Sequence, residues 1–381
     1  MQFGFVRRMY LSSLLAGAGW LGLAAMPANA QIFHRGGQYC PPPPTCPAPA
    51  PSSAATPPAI PPSAPPTAPA APEAPTVDLS AVAPQSLLAG GGETTAFAPN
   101  MLGDSSSISV FNSSAKIAEN ESPRPLDRLF SSFNYYNNVD RSTLSTNGAS
   151  VHNVQYFRYT FGVEKTFLDG YFSVGLRAPI NTIDADGRVT GGIAAPGITD
   201  TEFGDLSILL KGVLAQNRET GSLISAGLAV TTATGPRHFP EAPAQAILVN
   251  GQRSTSLQPF VGAIWSSGSF FVHGFSSLEI PTSRKDALLL FDDIGVGYYV
   301  YRNYEADRLL TAIVPTFELH VNDPLRDRGS ANIGGPDILD LTTGATFEFS
   351  RSASLAVGFV TPITGPKPFD FEILTHLNVR F

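Results

Sequence analysis

Hydrophobic and polar residues alternate with a period of two from about residue 126 to the C-terminus. This period is typical of β-strands that bury only one face. The last segment shows it most clearly: Glu372, His376 and Asn378 share a polar face, with Leu374 as the exception. The apolar face of that segment consists of Phe369, Phe371, Ile373, Thr375, Leu377, Val379 and Phe381. Its length is sufficient for a tilted transmembrane strand, which needs about 9–11 residues.

The same alternation recurs upstream and divides the region into strands of similar length. Single-chain bacterial outer-membrane barrels have an even number of strands. We therefore predict twelve strands, at 127–138, 153–166, 170–181, 203–215, 221–233, 255–266, 269–281, 289–302, 308–321, 337–350, 353–362 and 369–381.

The predicted connections alternate between longer and shorter. Longer ones include 139–152 and 234–254, whereas shorter ones lie near 168–170 and 267–268. Long extracellular loops and short periplasmic turns are typical of outer-membrane barrels. The sequence therefore predicts an all-β fold. We expect a transmembrane, antiparallel, up-and-down β-barrel of about 12 strands over 126–381, preceded by a disordered Pro-rich segment.

The N-terminus has the organisation of a secretory signal peptide. Two arginines precede an apolar stretch at 9–26, and Ala28 and Ala30 form a small-x-small cleavage motif. We predict removal of residues 1–30, with Gln31 as the mature N-terminus. A retained membrane anchor is the alternative.

Residues 31–76 are rich in Pro, Ala, Ser and Thr and are predicted to form a disordered periplasmic linker. This arm is either passive or a tether to peptidoglycan or a periplasmic protein. Cys40 and Cys46 flank a proline run, and their pairing stays open. Residues 77–125 are Gly- and Ser-rich and are either a lead-in to the barrel or a plug within it.

The composition favours a membrane barrel. The chain has 43% hydrophobic and 10% aromatic residues but only 14% charged residues, against about 25% charged in soluble domains. After the signal peptide, no apolar run is long enough for a transmembrane helix. A net charge of −7 argues against nucleic acid as a partner.

Charged and polar residues on the inner strand faces are the candidate functional residues. They are expected either to guide solutes or to form salt bridges that fill the barrel. The predicted lumen-lining residues are Arg158, Glu164, Arg177, Asp205, Lys211, Asp293, Tyr299, Tyr301, Glu318, His320, Asp340, Glu348, Glu372 and Arg380.

Sequence motifs for catalysis are missing. No Gly-x-Ser-x-Gly motif surrounds a serine, and the six histidines show no metal-ligand spacing. We therefore predict no catalytic residues, no metal site and no cofactor, and the chain is not expected to be an enzyme.

Two stretches resemble a known family. Residues 204–211, which read GDLSILLK, and residues 228–235, which read LAVTTATG, are similar to a hairpin of the outer-membrane transporter family named for the MetA pathway of phenol degradation. The terminal Phe381 resembles the signal that the barrel-assembly machinery reads. The resemblance covers about 126–381 and implies a barrel for uptake of small, including aromatic, molecules.

Together these observations predict a bacterial outer-membrane channel or transporter for small solutes, with hydrophobic or aromatic compounds as candidates. The expected partners are outer-membrane lipid, the barrel-assembly machinery and the solutes themselves. A structural or adhesive barrel with a Pro-rich tether is the alternative function.

Overall fold

The computed structural model describes residues 98–104, 116–139, 151–187, 189–190, 193–236, 238–239, 249–250, 254–284, 288–305, 308–325, 338–350, 352–364 and 367–381. The predictions made for residues 1–97, including the signal peptide, the cysteines and the Pro-rich linker, lie outside these ranges. Among the described residues, no helix is long and apolar enough to cross a membrane.

Twelve strands form one continuous wall. They are β1 (Arg128–Asn137), β2 (Val151–Phe167), β3 (Phe172–Gly187), β7 (Ser207–Gln216), β8 (Leu223–Thr231), β11 (Ser256–Ser267), β12 (Phe270–Pro281), β13 (Leu289–Tyr298), β15 (Leu310–Pro324), β16 (Ile338–Phe349), β17 (Ala353–Pro362) and β18 (Phe371–Arg380). The shorter strands are β4 (Val189–Thr190), β5 (Ile193–Ala194), β6 (Ile198–Phe203), β9 (His238–Phe239), β10 (Val249–Asn250) and β14 (Tyr301–Arg302).

The wall closes into a barrel. Each wall strand pairs antiparallel with the next along the chain, and β18 returns to pair with β1, where Leu129 lies opposite Val379. Closure leaves the wall without a free edge, so its backbone groups are paired within the sheet. The prediction of a twelve-strand antiparallel barrel is confirmed.

Several strand boundaries differ from the prediction. The strand expected at 170–181 extends to Gly187. The strand expected at 203–215 is interrupted at Gly204, whose amide bonds to Pro179 O, so that β6 and β7 are separate. The strand expected at 289–302 divides into β13 and β14. The last strand begins at Phe371. Phe369, expected on its lipid-facing side, is instead buried against the ring of Tyr136 at 5.3 Å.

The connections have different lengths at the two ends of the barrel. At the short-turn end, β2 and β3 are joined by 168–171, and β11 and β12 by only 268–269. The latter turn needs the positive φ of Gly268, +61°, which suits a two-residue hairpin. At the long-loop end, β1 and β2 are separated by 138–150. The predicted alternation of loop lengths agrees with these boundaries.

Alternate residues of each wall strand face outward and form an apolar surface. In β1, for example, Arg128, Phe130, Ser132 and Asn134 are buried, whereas Leu129 is 54% exposed. Outward-facing and exposed side chains include Leu129, Phe161, Leu176, Ile208, Leu214, Val261, Val296, Phe317, Val357, Phe359, Ile373 and Leu377. A charged interior behind an apolar exterior is the arrangement that lets a barrel span a bilayer.

Several inward-facing phenylalanines lie over glycines of the neighbouring strand. A Cβ at Gly162 would fall 2.2 Å from the Phe130 ring, and one at Gly297 would fall 2.2 Å from the Phe271 ring. Any larger residue would displace these rings. The glycines thus make room for aromatic side chains inside the barrel.

The apolar exterior generates a stability prediction. Replacing Leu377, which is 46% exposed within β18, by Arg is expected to lower the free energy of unfolding in lipid vesicles by about 2–4 kcal/mol, because the charge must enter hydrocarbon. The control is Leu309→Arg, which changes a 72% exposed leucine just before β15 and is expected to cost about 0–1 kcal/mol. Equal effects in denaturant titrations would contradict the assignment of the outer face.

Candidate functional site

The barrel interior is occupied by chain that precedes the first strand. We call residues 98–104 and 116–125 the luminal segment. Met101, Leu102 and Asp104 are fully buried, and so is almost every residue from 116 to 122. The two pieces are joined by a hydrogen bond from the Met101 amide to the Glu121 carbonyl, 2.9 Å. Lys116 of the second piece also pairs with Asp104 of the first, and the segment further contacts inward-facing side chains of the wall.

The first piece is held through its backbone. The Leu102 and Gly103 amides donate to the two carboxylate oxygens of Glu318, at 2.9 and 2.8 Å. The Leu102 carbonyl lies 2.8 Å from Nε2 of His376, and the Gly103 carbonyl accepts from the Thr342 hydroxyl at 3.1 Å. Gly103 has φ +75°, and a Cβ there would lie 2.6 Å from the backbone of the second piece. Glycine is therefore required where the pieces meet.

Lys116 is surrounded by acidic groups. Its Nζ lies 2.6 Å from Oδ1 of Asp104 and 2.5 Å from Oδ1 of Asp293. Burial disfavours charge on these groups, but the facing charges outweigh it. The pKa of Lys116 is raised by the two carboxylates, and the pKa of Asp104 is lowered by Lys116 and His320. The side chains of Asp104 and Lys116 therefore keep their charges although they are buried away from water.

Glu121 binds three cationic side chains of the wall. Its carboxylate lies 2.8 Å from Arg128, 2.8 Å from Arg177 and 2.6 Å from Lys211. Glu164 of β2 bridges the same group, at 2.9 Å from both Arg128 and Lys211. Burial opposes ionisation of Glu121, but Arg128, Lys211 and Arg177 hold its pKa well below the ordinary value.

Glu119 is also buried, but its cationic partner lies farther away than those of Glu121. Neither carboxylate oxygen has a hydrogen bond within the described part of the chain, and Arg158 Nη1 lies 3.8 Å away. Burial raises the pKa of Glu119. Arg158 also lies over the ring of Tyr156, 5.7 Å from its centroid. The ring of Tyr136 lies 5.6 Å from that of Tyr156.

These tyrosines belong to an apolar cluster of interior side chains near the long-loop end. Leu102 of the luminal segment packs into it, so the segment touches apolar as well as charged groups of the barrel. The cluster consists of Leu102, Tyr136, Val139, Val151, Val154, Tyr156, Ile183, Ala185, Ala356, Val360, Phe369 and Leu374.

The structure buries most of the residues predicted to line the lumen. Asp205 lies at the break between β6 and β7, where its Oδ1 accepts from the Gly235 amide at 2.6 Å. Arg380 is partly exposed at the end of β18, with Nη2 3.6 Å from Oε1 of Glu348. The buried residues are Arg158, Glu164, Arg177, Asp205, Lys211, Asp293, Tyr299, Glu318, His320, Asp340, Glu348 and Glu372.

The prediction that Tyr301 lines the lumen is wrong. Tyr301 is 37% exposed and pairs with Ile313 on the outer side of the wall. The prediction assumed one unbroken strand. The alternation continues through buried Tyr299 and exposed Val300 but breaks at Tyr301, where the separate strand β14 begins.

Sequence reasoning missed the residues of the luminal segment, because region 77–125 has no period. The local density of charged residues could have revealed them. Six of the thirteen residues from Lys116 to Arg128 are charged, whereas charged residues make up 14% of the whole chain. Arg128 was also missed, although it occupies an inward position at the start of β1. His376 was placed on the polar face of the last strand but not among the lumen-lining residues.

Comparisons with known proteins show distant similarity of fold. No protein-family profile matches the chain, and no curated protein sequence matches it. An outer membrane channel from Pseudomonas putida F1 has 11% identity and a TM-score of 0.45, covering 68% of this chain and 96% of that one. LpxR from Salmonella typhimurium has 9% identity and a TM-score of 0.36, covering 67% and 100%. The NalP translocator domain from Neisseria meningitidis has 11% identity and a TM-score of 0.33, covering 67% and 88%.

Scores this low carry no functional argument, so function must be argued from the barrel interior. The resemblance to the phenol-degradation transporter family stays a prediction, as does the absence of enzymatic activity.

The buried ion cluster around Glu121 generates a second prediction. Glu121→Gln removes a charge that faces three cations, and breaking a buried network in this way is expected to cost about 3–5 kcal/mol of unfolding free energy. Glu305→Gln is the matched control. Glu305 pairs with Arg308 at 3.3 Å on the exposed surface, where the loss is expected to be about 0–1 kcal/mol. Equal losses in denaturant titrations would contradict the assigned network.

The lowered pKa of Glu121 predicts a pH dependence. The stabilisation by ionised Glu121 is complete above its ordinary pKa of 4.5 and is lost as the pH falls below that value towards the lower folded pKa. The stability difference between the wild-type protein and Glu121→Gln should therefore shrink as the pH is lowered from 7 towards 3. A difference that stays constant over this range would show that Glu121 is not ionised in the barrel.

Proposed function

We propose that the chain is an outer-membrane channel for small solutes that the luminal segment closes in this conformation. The observation that carries the proposal is the chemistry of the contact between segment and wall. Lys116 and Glu121 of the segment lie 2.5–2.8 Å from opposite charges of the wall. Asp104 lies 2.6 Å from Lys116 within the segment. The wall behind the segment is therefore charged.

A charged wall favours a channel over a permanently filled barrel. Buried ion pairs are costly to desolvate, and well-packed apolar side chains often stabilise an interior at least as well. Water can replace the segment's charges if the segment leaves, whereas an apolar wall would resist wetting. Arg128, Arg177 and Lys211 on one side, with Asp293 and Glu318 on the other, would then line a hydrated pore.

The apolar cluster at the long-loop end supports hydrophobic or aromatic compounds as solutes. Tyr136, Tyr156 and Phe369 lie inside the barrel, with ring centroids 5.3–5.6 Å apart in successive pairs. A flat apolar solute that entered from this end could stack on these rings. The predicted relation to transporters of aromatic compounds fits this arrangement.

One observation favours the alternative, a structural barrel. The interior is filled, since the described segment residues are almost completely buried between the strands. In that case the barrel would anchor the Pro-rich arm in the envelope and would conduct nothing. Electrical recording separates the two functions.

A third prediction concerns conductance in planar bilayers. Glu121→Lys places a fourth cation among Arg128, Arg177 and Lys211, and should expel the segment and raise the open probability several-fold. Glu305→Lys makes the same change on the exposed surface and should conduct like the wild-type protein.

Deletion of 98–125 provides the stricter test. The deleted variant should conduct in steady steps, with its β-content verified by circular dichroism in the same lipids. Folded and inserted protein that stays silent after the deletion would overturn the channel and favour the structural barrel.

A further inference from the structure

The Lys116 ammonium occupies a position built for a cation. Ligand atoms of Asp104, Asp293 and His320 all lie within 4.8 Å of one another, and all three residues are buried. The Lys116 Nζ lies 2.6 Å from Oδ1 of Asp104 and 2.5 Å from Oδ1 of Asp293. His320 Nδ1 lies 2.8 Å from the same Asp293 oxygen. Two carboxylates and an imidazole thus meet at one point inside the barrel.

A buried carboxylate oxygen at this point lacks a hydrogen-bond partner. Within the described residues, Oδ2 of Asp293 makes no hydrogen bond, although Asp293 is 96% buried. Unpaired buried polar atoms are costly, and each one calls for an explanation such as an unseen ion or water.

The contact that His320 makes on the side away from the cluster resembles that of a metal-binding histidine. His320 turns Nδ1 towards the cluster and places Nε2 3.4 Å from Oε2 of Glu318. Such histidines usually direct their second ring nitrogen at a carboxylate or carbonyl, which fixes the ring and increases its basicity. Glu318 is itself held in place by the Leu102 and Gly103 amides.

We infer that Asp104, Asp293 and His320 form a binding site for a divalent transition-metal ion, which competes with the Lys116 ammonium for the same position. One imidazole with two carboxylates suits zinc, cobalt or manganese better than magnesium or calcium, which prefer oxygen ligands alone. A divalent ion supplies one positive charge for each of the two carboxylates. Metal binding would displace Lys116 and release a proton from the histidine if it is charged.

The ligands are far apart in sequence, at positions 104, 293 and 320, which explains why no ligand spacing predicted them. The site lies in the barrel whether or not the barrel conducts. Its test therefore measures metal binding, and a silent barrel would leave the inference intact.

The test is zinc titration of the full-length protein in detergent by calorimetry, in a Cys40→Ser, Cys46→Ser background that removes the thiols. Lys116→Met removes the competing charge while keeping side-chain length, and should tighten zinc binding at least tenfold. Adding His320→Gln should abolish that gain. The control is Lys165→Met, which alters a half-exposed lysine paired with Asp127 and should leave zinc affinity unchanged.

Cobalt(II) absorption supplies a measurement that does not need the lysine variant. The protein with the two serine substitutions should develop visible bands on cobalt addition, and His320→Gln should remove them. Zinc affinity unaffected by Lys116→Met, or cobalt bands that survive His320→Gln, would overturn the inference.

Discussion

The structure depends on one constraint: a barrel wall that faces hydrocarbon must pair its backbone groups within the wall and keep charged side chains off its outer surface. Closure of β18 onto β1 meets the first requirement. The second sends the charged side chains of the wall strands to the inside. Arg158, Arg177, Lys211, Glu318 and Asp293 therefore share a narrow interior where each needs an opposite charge or water.

The luminal segment satisfies this need with charges of both signs. Glu121 meets the arginines and lysine of β1, β3 and β7, while Lys116 meets Asp293 of β13. The wall offers three cations to Glu121 and a carboxylate to Lys116, so its charges match the observed direction of the segment. Electrostatic pairing thus specifies how the segment lies, in addition to holding it.

Strand positions could be predicted because each wall strand repeats one local rule, apolar outside and polar inside. The rule failed where a local irregularity interrupts the alternation, as before Tyr301, or where an aromatic ring is buried beyond a strand end, as at Phe369. It left residues 77–125 as either a lead-in or a plug and could not name the contacts of the segment, which join residues far apart in the chain. The Leu102–Glu318 hydrogen bond spans 216 positions and follows no period. Inward phenylalanines were missed because their position depends on a glycine of the next strand.

Arg128 links the closure of the barrel to the luminal segment. It stands in the first strand, at the seam where the barrel closes, and donates to Asn378 of the last strand at 2.9 Å. The same guanidinium binds Glu121 and the Asn120 carbonyl of the segment. Because one side chain contacts the segment and both strands of the seam, the closure of the barrel and the hold on the segment share one hydrogen-bond network.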